Sequence, residues 1–201
     1  MYNPKATEVV LTNVRLSYVH IMRPYAKDPA MEPKYSATIL LPKTDFAGKA
    51  KIDAAIAAAK QLGASSKWAG VVPPIVPDPI SDGDGVRQDG TAFGPECKGM
   101  WVFTATSKME TPIEVVDRMN NKILDPTQIY SGIIANVFVQ FFPYAYQGKK
   151  GIGCGLGPVQ KVADGERLGG GAPSAASVFG AAGASAPAAA PSINPITGMP
   201  L

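Results

Sequence analysis

The sequence is poor in the residues that most often carry chemistry. Its 201 residues hold one histidine, His20, and two cysteines, Cys97 and Cys154. A triad or a histidine general base would rest on His20 alone, and the apolar neighbours Val19 and Ile21 make it read as structural. The cysteines are far apart and form no Cys-x-x-Cys pair, so neither a disulfide framework nor a zinc site is indicated. Both read as small buried hydrophobes. No apolar run approaches the roughly 20 residues that a membrane span needs. The opening MYNPKATEVV also lacks the apolar core of a signal peptide, which predicts a soluble, intracellular protein with no membrane partner.

Nucleotide and hydrolase motifs are missing too. Gly151, Gly153, Gly155 and Gly157 alternate. The dinucleotide spacing nevertheless fails at Leu156 and Pro158, and no helix follows to receive a phosphate. Neither a G-x-x-x-x-G-K-[ST] loop nor a G-x-S-x-G elbow occurs. Asp82, Asp84 and Asp89 invite calcium, yet Val86 stands where a third ligand belongs and no Glu closes the loop, so Asp-Gly turns explain them. The chain is thus expected to be no enzyme and to need no metal or cofactor.

What is abundant is glycine and proline, 21 and 19 residues, which excludes a coiled coil and favours short strands joined by many turns. Period-two alternation marks Val14, Leu16 and Tyr18; Tyr35, Ala37, Ile39 and Leu41; Trp101 and Phe103 within residues 99–107; and Ile133, Ala135, Val137, Val139 and Phe141. A fifth strand is expected in GIGCGLGPVQKV, whose glycines suggest a bulge or a tight barrel corner. One segment, residues 44–62, has helical spacing of Ile52, Ile56 and Ala59, with Thr44 or Asp45 to cap it and Gly63 to end it. Five strands, one inserted helix and long loops predict a mainly β fold, a small closed or partly open barrel.

Charge divides the chain. All 35 charged residues precede Gly171. The Ala, Pro, Ser and Gly mixture of 172–201 cannot fill a core and is expected to be a disordered tail. That leaves residues 1–171 as the domain. Residues 1–63 carry nine basic and five acidic groups, 64–130 six and nine, and 131–171 four and two, so a basic face can be assembled from the two ends of the domain. Cations and aromatics interleave there. A groove that tracks phosphates with Lys and Arg while aromatic faces stack on bases is the physical recipe for single-strand binding without sequence preference.

Three stretches carry more than composition. KYSATILLPKTD (34–45), the loop PDPISDGDG, and IYSGIIANVFVQFFPYAYQGKKGIGCGLGPVQKVADGERLGGG (129–171) closely resemble tailed-phage single-stranded DNA-binding proteins, a family related to the podovirus replication single-strand binder. The resemblance covers about residues 8–171. It implies an OB-fold barrel that coats single-stranded DNA in phage replication and recombination, in the host cytoplasm, without hydrolysing anything. By chemistry within the matched segments, the expected DNA-binding residues are Arg15, Tyr18, Lys34, Lys43, Trp101, Phe103, Lys108, Tyr144, Tyr146, Lys149 and Lys150. Tyr18, Trp101 and Phe103 would stack if they point outward, and the last four would lie on the hairpin loop before the final strand. By analogy a homodimer is plausible.

One departure stands out. Related binders end in an acidic tail that recruits the polymerase and competes for the basic groove, whereas this chain has no Asp or Glu after Glu166. Replication partners would then dock on the apolar end INPITGMPL, or tail-mediated recruitment is absent. The competing function class is a structural or assembly protein of the phage particle.

Overall fold

A computed structural model describes residues 3–87 and 89–169. The segment 172–201, expected from composition to be a disordered tail, lies outside the described residues. The elements in order are β1 (Glu8–Tyr25), β2 (Lys34–Pro42), α1 (Phe46–Ser66), β3 (Ser81–Asp82), β4 (Met100–Lys108), β5 (Val115–Val116), β6 (Ile134–Tyr146) and β7 (Lys149–Ala163). No helix among the described residues is long and apolar enough to cross a membrane.

Five of the strands close on themselves. β1 pairs antiparallel with both β2 and β6, β2 with β4, and β6 with β7. A parallel bridge between Thr106 of β4 and Gly155 of β7 completes the ring. The short β3 and β5 add to the edges of β4 and β7. Antiparallel neighbours with one parallel closure give the expected five-stranded OB-type barrel.

β1 is longer than its alternation suggested because its pairing register slips three times, and two of those slips are bulges that reset the period. Val9 and Leu11 point inward, then Val14 and Leu16, then Ile21. Each change of parity falls where the pairing register slips, at Asn13 (φ +55°) and Tyr18 (φ +47°). An extra residue in one strand turns every later side chain to the opposite face, so the bulges keep apolar residues in the core along a bending strand. The interior is filled by these residues with Ala37, Ile39, Leu41, Phe103, Ala105, Val137, Val139, Phe141, Leu156 and Val159.

α1 closes one end of the barrel. Its N-cap is Asp45, whose carboxylate accepts from the Gly48 amide at 2.8 Å, and Ile52, Ala55, Ile56 and Ala59 form the buried stripe against β6 and β1. The helix runs past Gly63 instead of stopping there. Gly63 is where the helix lies against Trp68, and a Cβ at that position would come within 2.7 Å of the indole. Trp68, 1% exposed, donates from Nε1 to the Tyr144 carbonyl at 3.0 Å and so ties the helix end to β6.

The fifth strand carries the expected bulge. β7 has one extra residue near Gly157 and Pro158, since Val139 pairs with Leu156 but Val137 with Val159, and another near its end, since Ala135 pairs with Lys161 but Ile134 with Ala163. Otherwise it runs straight to a tight turn at Gln147 and Gly148, both at positive φ. Tyr144, Tyr146, Lys149 and Lys150, expected on a loop, are therefore paired strand residues, with Tyr144 opposite Gly151 and Tyr146 opposite Lys149. Both cysteines are buried, and burial pushes the Cys154 thiol up to about 12.

Candidate nucleic-acid interface

The register of β1, β2 and β4 fixes what their outer face presents. Arg15, Leu40 and Val102 form one row, Ser17, Thr38 and Thr104 the next, His20, Ser36 and Thr106 a third, and Tyr25, Lys34 and Lys108 the last. Leu40 and Val102 point outward yet are buried, because Phe93, Met100 and Leu168 pack over them with Cys97. Beyond that cover the floor is made of hydroxyls, with Thr38 and Thr104 in mutual contact at 3.0 Å. Small polar side chains leave a shallow channel.

Its walls are aromatic and basic. Tyr18 occupies the second bulge, is 61% exposed and has φ +47°. A left-handed backbone at a bulky non-glycine residue is strained and occurs where surrounding structure imposes it. Here the Val19 amide, which donates to Ser131 Oγ at 3.2 Å, is part of what imposes it. The bulge turns the phenol out of the sheet beside a depression of about 530 Å³ lined by Ser17, His20, Glu96, Ser131 and Leu168. His20 stacks flat on Tyr25, with ring centroids 4.4 Å apart and an interplanar angle of 12°. On the far side Arg87 lies over Phe93 at 4.8 Å, bordering a second depression of about 460 Å³ that reaches Thr104.

At the end of the channel Lys34 and Lys108 are directly opposed across the strand pair. Like charges so placed repel and weaken a sheet by a few tenths of a kcal/mol to about 1 kcal/mol. Neither makes an ion pair among the described residues, so the pair is an open positive site that an anion would relieve.

The structure distributes the other sequence-predicted residues differently. Phe103 is 3% exposed and packs on Phe141 with centroids 6.2 Å apart. It shares a face with Trp101, as the alternation indicated, but that face is the interior. Trp101 is half-buried at the barrel end under two ammonium groups, Lys43 at 5.1 Å and Lys49 at 4.9 Å. Phe103 offers no open face to a base. Lys43 is engaged by Asp82 and Asp84, the latter at 2.7 Å. Those hydrogen bonds raise the lysine above its ordinary value and hold both carboxyls below theirs. Asp82 also accepts from the Asp84 amide, and Asp84 from that of Gly99. The Asp-Gly loop is thus clasped to the end of β2.

Arg15 is a strap anchor. Its guanidinium donates to the Glu166 carbonyl at 2.8 Å, and Nε is buried without a partner. Tyr130 donates to Asp164 at 2.8 Å, Arg167 lies over the Tyr130 ring at 3.9 Å, and the Leu168 amide bonds the Ser131 carbonyl. The DGERL stretch is therefore a strap across the barrel mouth beside Tyr18. Tyr144, Tyr146, Lys149 and Lys150 lie together on the β6–β7 hairpin, whose strands flank those of the channel, β6 beside β1 and β7 beside β4. His20, which its apolar neighbours made read as structural, reaches the channel, as do Tyr25, Arg87 and Phe93, none of them among the expected DNA-binding residues. The interleaving of aromatics and cations near the N-terminus signals Tyr25, whereas nothing local marks Arg87 and Phe93.

Comparison with known proteins identifies what the barrel is similar to. Residues 7–188 match the family described as Enterobacter phage Enc34, ssDNA-binding protein. No curated protein matches the chain. Among solved structures, the single-stranded DNA-binding protein from bacteriophage Enc34 in complex with ssDNA is 31% identical, with a TM-score of 0.68, over 82% of this chain and 91% of that one. The same phage protein without DNA is 30% identical, with a TM-score of 0.66, over 87% and 91%. The gp2.5 single-stranded DNA-binding protein encoded by bacteriophage T7 shares the fold, at 18% identity, a TM-score of 0.53 and coverage of 82% and 91%.

Proposed function

Because the chain belongs to the Enterobacter phage Enc34 ssDNA-binding protein family, we propose that it binds single-stranded DNA along the outer face of β1, β2 and β4, without catalysis, and protects it in phage DNA replication and recombination. The observation that carries the placement is Tyr18, a strained residue whose bulge turns its ring outward beside the hydroxyl-floored channel. Tyr18 and the His20–Tyr25 stack take base faces, and Lys34 and Lys108 take phosphates. The floor of Ser36, Thr38, Thr104 and Thr106 has no bidentate arrangement aimed at one base edge, which fits binding that tolerates any sequence.

The domain runs through residue 171, and the non-acidic segment after it engages phage or host replication proteins through its apolar end, with the host cytoplasm as the site of action. No feature of the described surface favours a particle-assembly role. Fluorescence anisotropy of labelled single-stranded and duplex DNA at several salt concentrations tests the reading. The expected result is preference for the single strand, weakening with salt but retaining a salt-resistant stacking component. Indifference to both DNAs near physiological salt would overturn it.

A further inference from the structure

The outer face of β6 and β7 has an arrangement that the barrel itself does not require. β7 has glycine at 151, 153, 155 and 157, a row unfavourable for a strand because it leaves no side chain to pack. Aromatic rings of β6 lie across that row. Phe142 is directly opposite Gly153, and a Cβ there would be 2.6 Å from its Cζ; Tyr144 is opposite Gly151, where a Cβ would be 2.5 Å from its Oη. Phe138 covers Gly157 in the same way. Each ring therefore rests one face on bare backbone. The other face is open, since Phe142 is 41%, Tyr144 36% and Tyr146 69% exposed. With side chains of one face repeating every second residue, Phe142, Tyr144 and Tyr146 stand ~7 Å apart along the strand.

We infer that this glycine-floored aromatic row is a second stretch of nucleic-acid track, on which the strand leaving the Tyr18 channel stacks further bases, and that Gly151 and Gly153 are positioning residues that flatten its rings. The inference rests on the proposed single-strand binding. Two observations select a nucleic acid over an apolar protein surface. Neither β6 nor β7 contains an Asp or Glu, while Lys149, opposite Tyr146, stands on the aromatic face with Lys150 next to it, a charge pattern that suits phosphates. The row is also continuous with the channel, because the Thr106–Gly155 bridge sets the outer edge of β4 against the glycines.

The alternative is that the rings merely shield glycine backbone, a known stabilising device in sheets. Leucine separates the two, since it shields backbone but has no π face. Phe142→Leu with Tyr144→Leu is compared with the unaltered protein on oligothymidylates of about 4 and about 16 residues, the limits of OB-fold site sizes. The expected result is an unchanged melting temperature, unchanged affinity for the short strand and a roughly tenfold or greater loss for the long one, as removal of stacking predicts. Lys149→Glu, a change at an exposed position, should give the same selective loss. Full retention of long-strand affinity by both variants overturns the inference, and so does an equal loss on both lengths. An unaltered protein that binds neither oligonucleotide would instead refute the proposed function itself.

Discussion

Tyr18 lets stability and binding be separated at one position. Its φ of +47° is a left-handed conformation that glycine adopts freely and that costs other residues roughly 1–2 kcal/mol. The ring is 61% exposed and contributes little to the core. Tyr18→Gly and Tyr18→Ala both remove the ring, but only alanine keeps the strain. Setting ~1–2 kcal/mol of relieved strain against the ~0.5–1 kcal/mol by which glycine's greater unfolded freedom opposes it, the glycine variant should be the more stable by between ~0 and ~1.5 kcal/mol, centred on ~0.8 kcal/mol. In a chain of this size that is a difference in melting temperature of roughly 1–4 °C. Both variants should lose single-strand affinity alike, by ~1–3 kcal/mol for one stacked base. Urea unfolding and anisotropy on the same preparations measure the two effects. A glycine variant no more stable than alanine would refute the strain argument, and wild-type affinity in either would refute the stacking role.

Other outcomes follow from the same geometry. Replacing Lys34 and Lys108 with Gln should flatten the plot of log affinity against log salt by ~0.7 for each phosphate no longer neutralised, while relief of their mutual repulsion leaves stability equal or higher; an unchanged slope would remove them from the site. Phe103→Ala should cost ~3–5 kcal/mol of stability as a buried truncation, with any protein that remains folded binding DNA normally, so a selective affinity defect would contradict its core placement. The Lys43 clasp has a defined pH window. Asp82 and Asp84 are lowered from 3.8, so their contribution is present above that value and is lost as pH falls through the lowered ones; Lys43 is raised from 10.5, so its contribution is full below 10.5 and is lost as pH rises through the raised value. The protection factors of the Asp84 and Gly99 amides against hydrogen exchange should therefore fall below about pH 4, before that of the Leu16 amide in the barrel does. Simultaneous loss of all three would mean the clasp has no independent opening.

Much of the barrel is legible in the sequence because its strands keep one face dry. β2, β4 and β6 appear as alternation, and the capped, alanine-rich α1 as a helical stripe. β1 is legible only in its middle, since alternation fails wherever a bulge resets it, and a bulge is set by pairing with a distant strand. Alternation also gives two faces without saying which is inside. Trp101 and Phe103 share the inner face because their register with Leu41 and Ile39 on β2 turns them to the core, a fact about strand order that spacing does not contain. The same limit hides Arg87 and Phe93, brought to the channel by a long loop. It also hides the work of the glycines in β7, whose meaning lies in the rings that β6 places over them. The closing segment is legible as a motif but not as a strap, because Arg15 meets Glu166 across 151 positions.

The parallel bridge between Thr106 and Gly155 that completes the ring has a consequence in time. β1, made first, waits for β6 as its second neighbour, and β4 waits for β7, so the barrel shuts only when the chain has been synthesised through the glycine strand. Pairings this remote make folding slow. Until then the early strands form an open sheet with two unpaired margins, in the crowded interval when neighbouring nascent chains can add to them. The bulges of β1 break the flatness of one margin and the Asp-Gly loop lies along part of the other. Features that shape the finished surface thus also guard the sheet before there is a barrel.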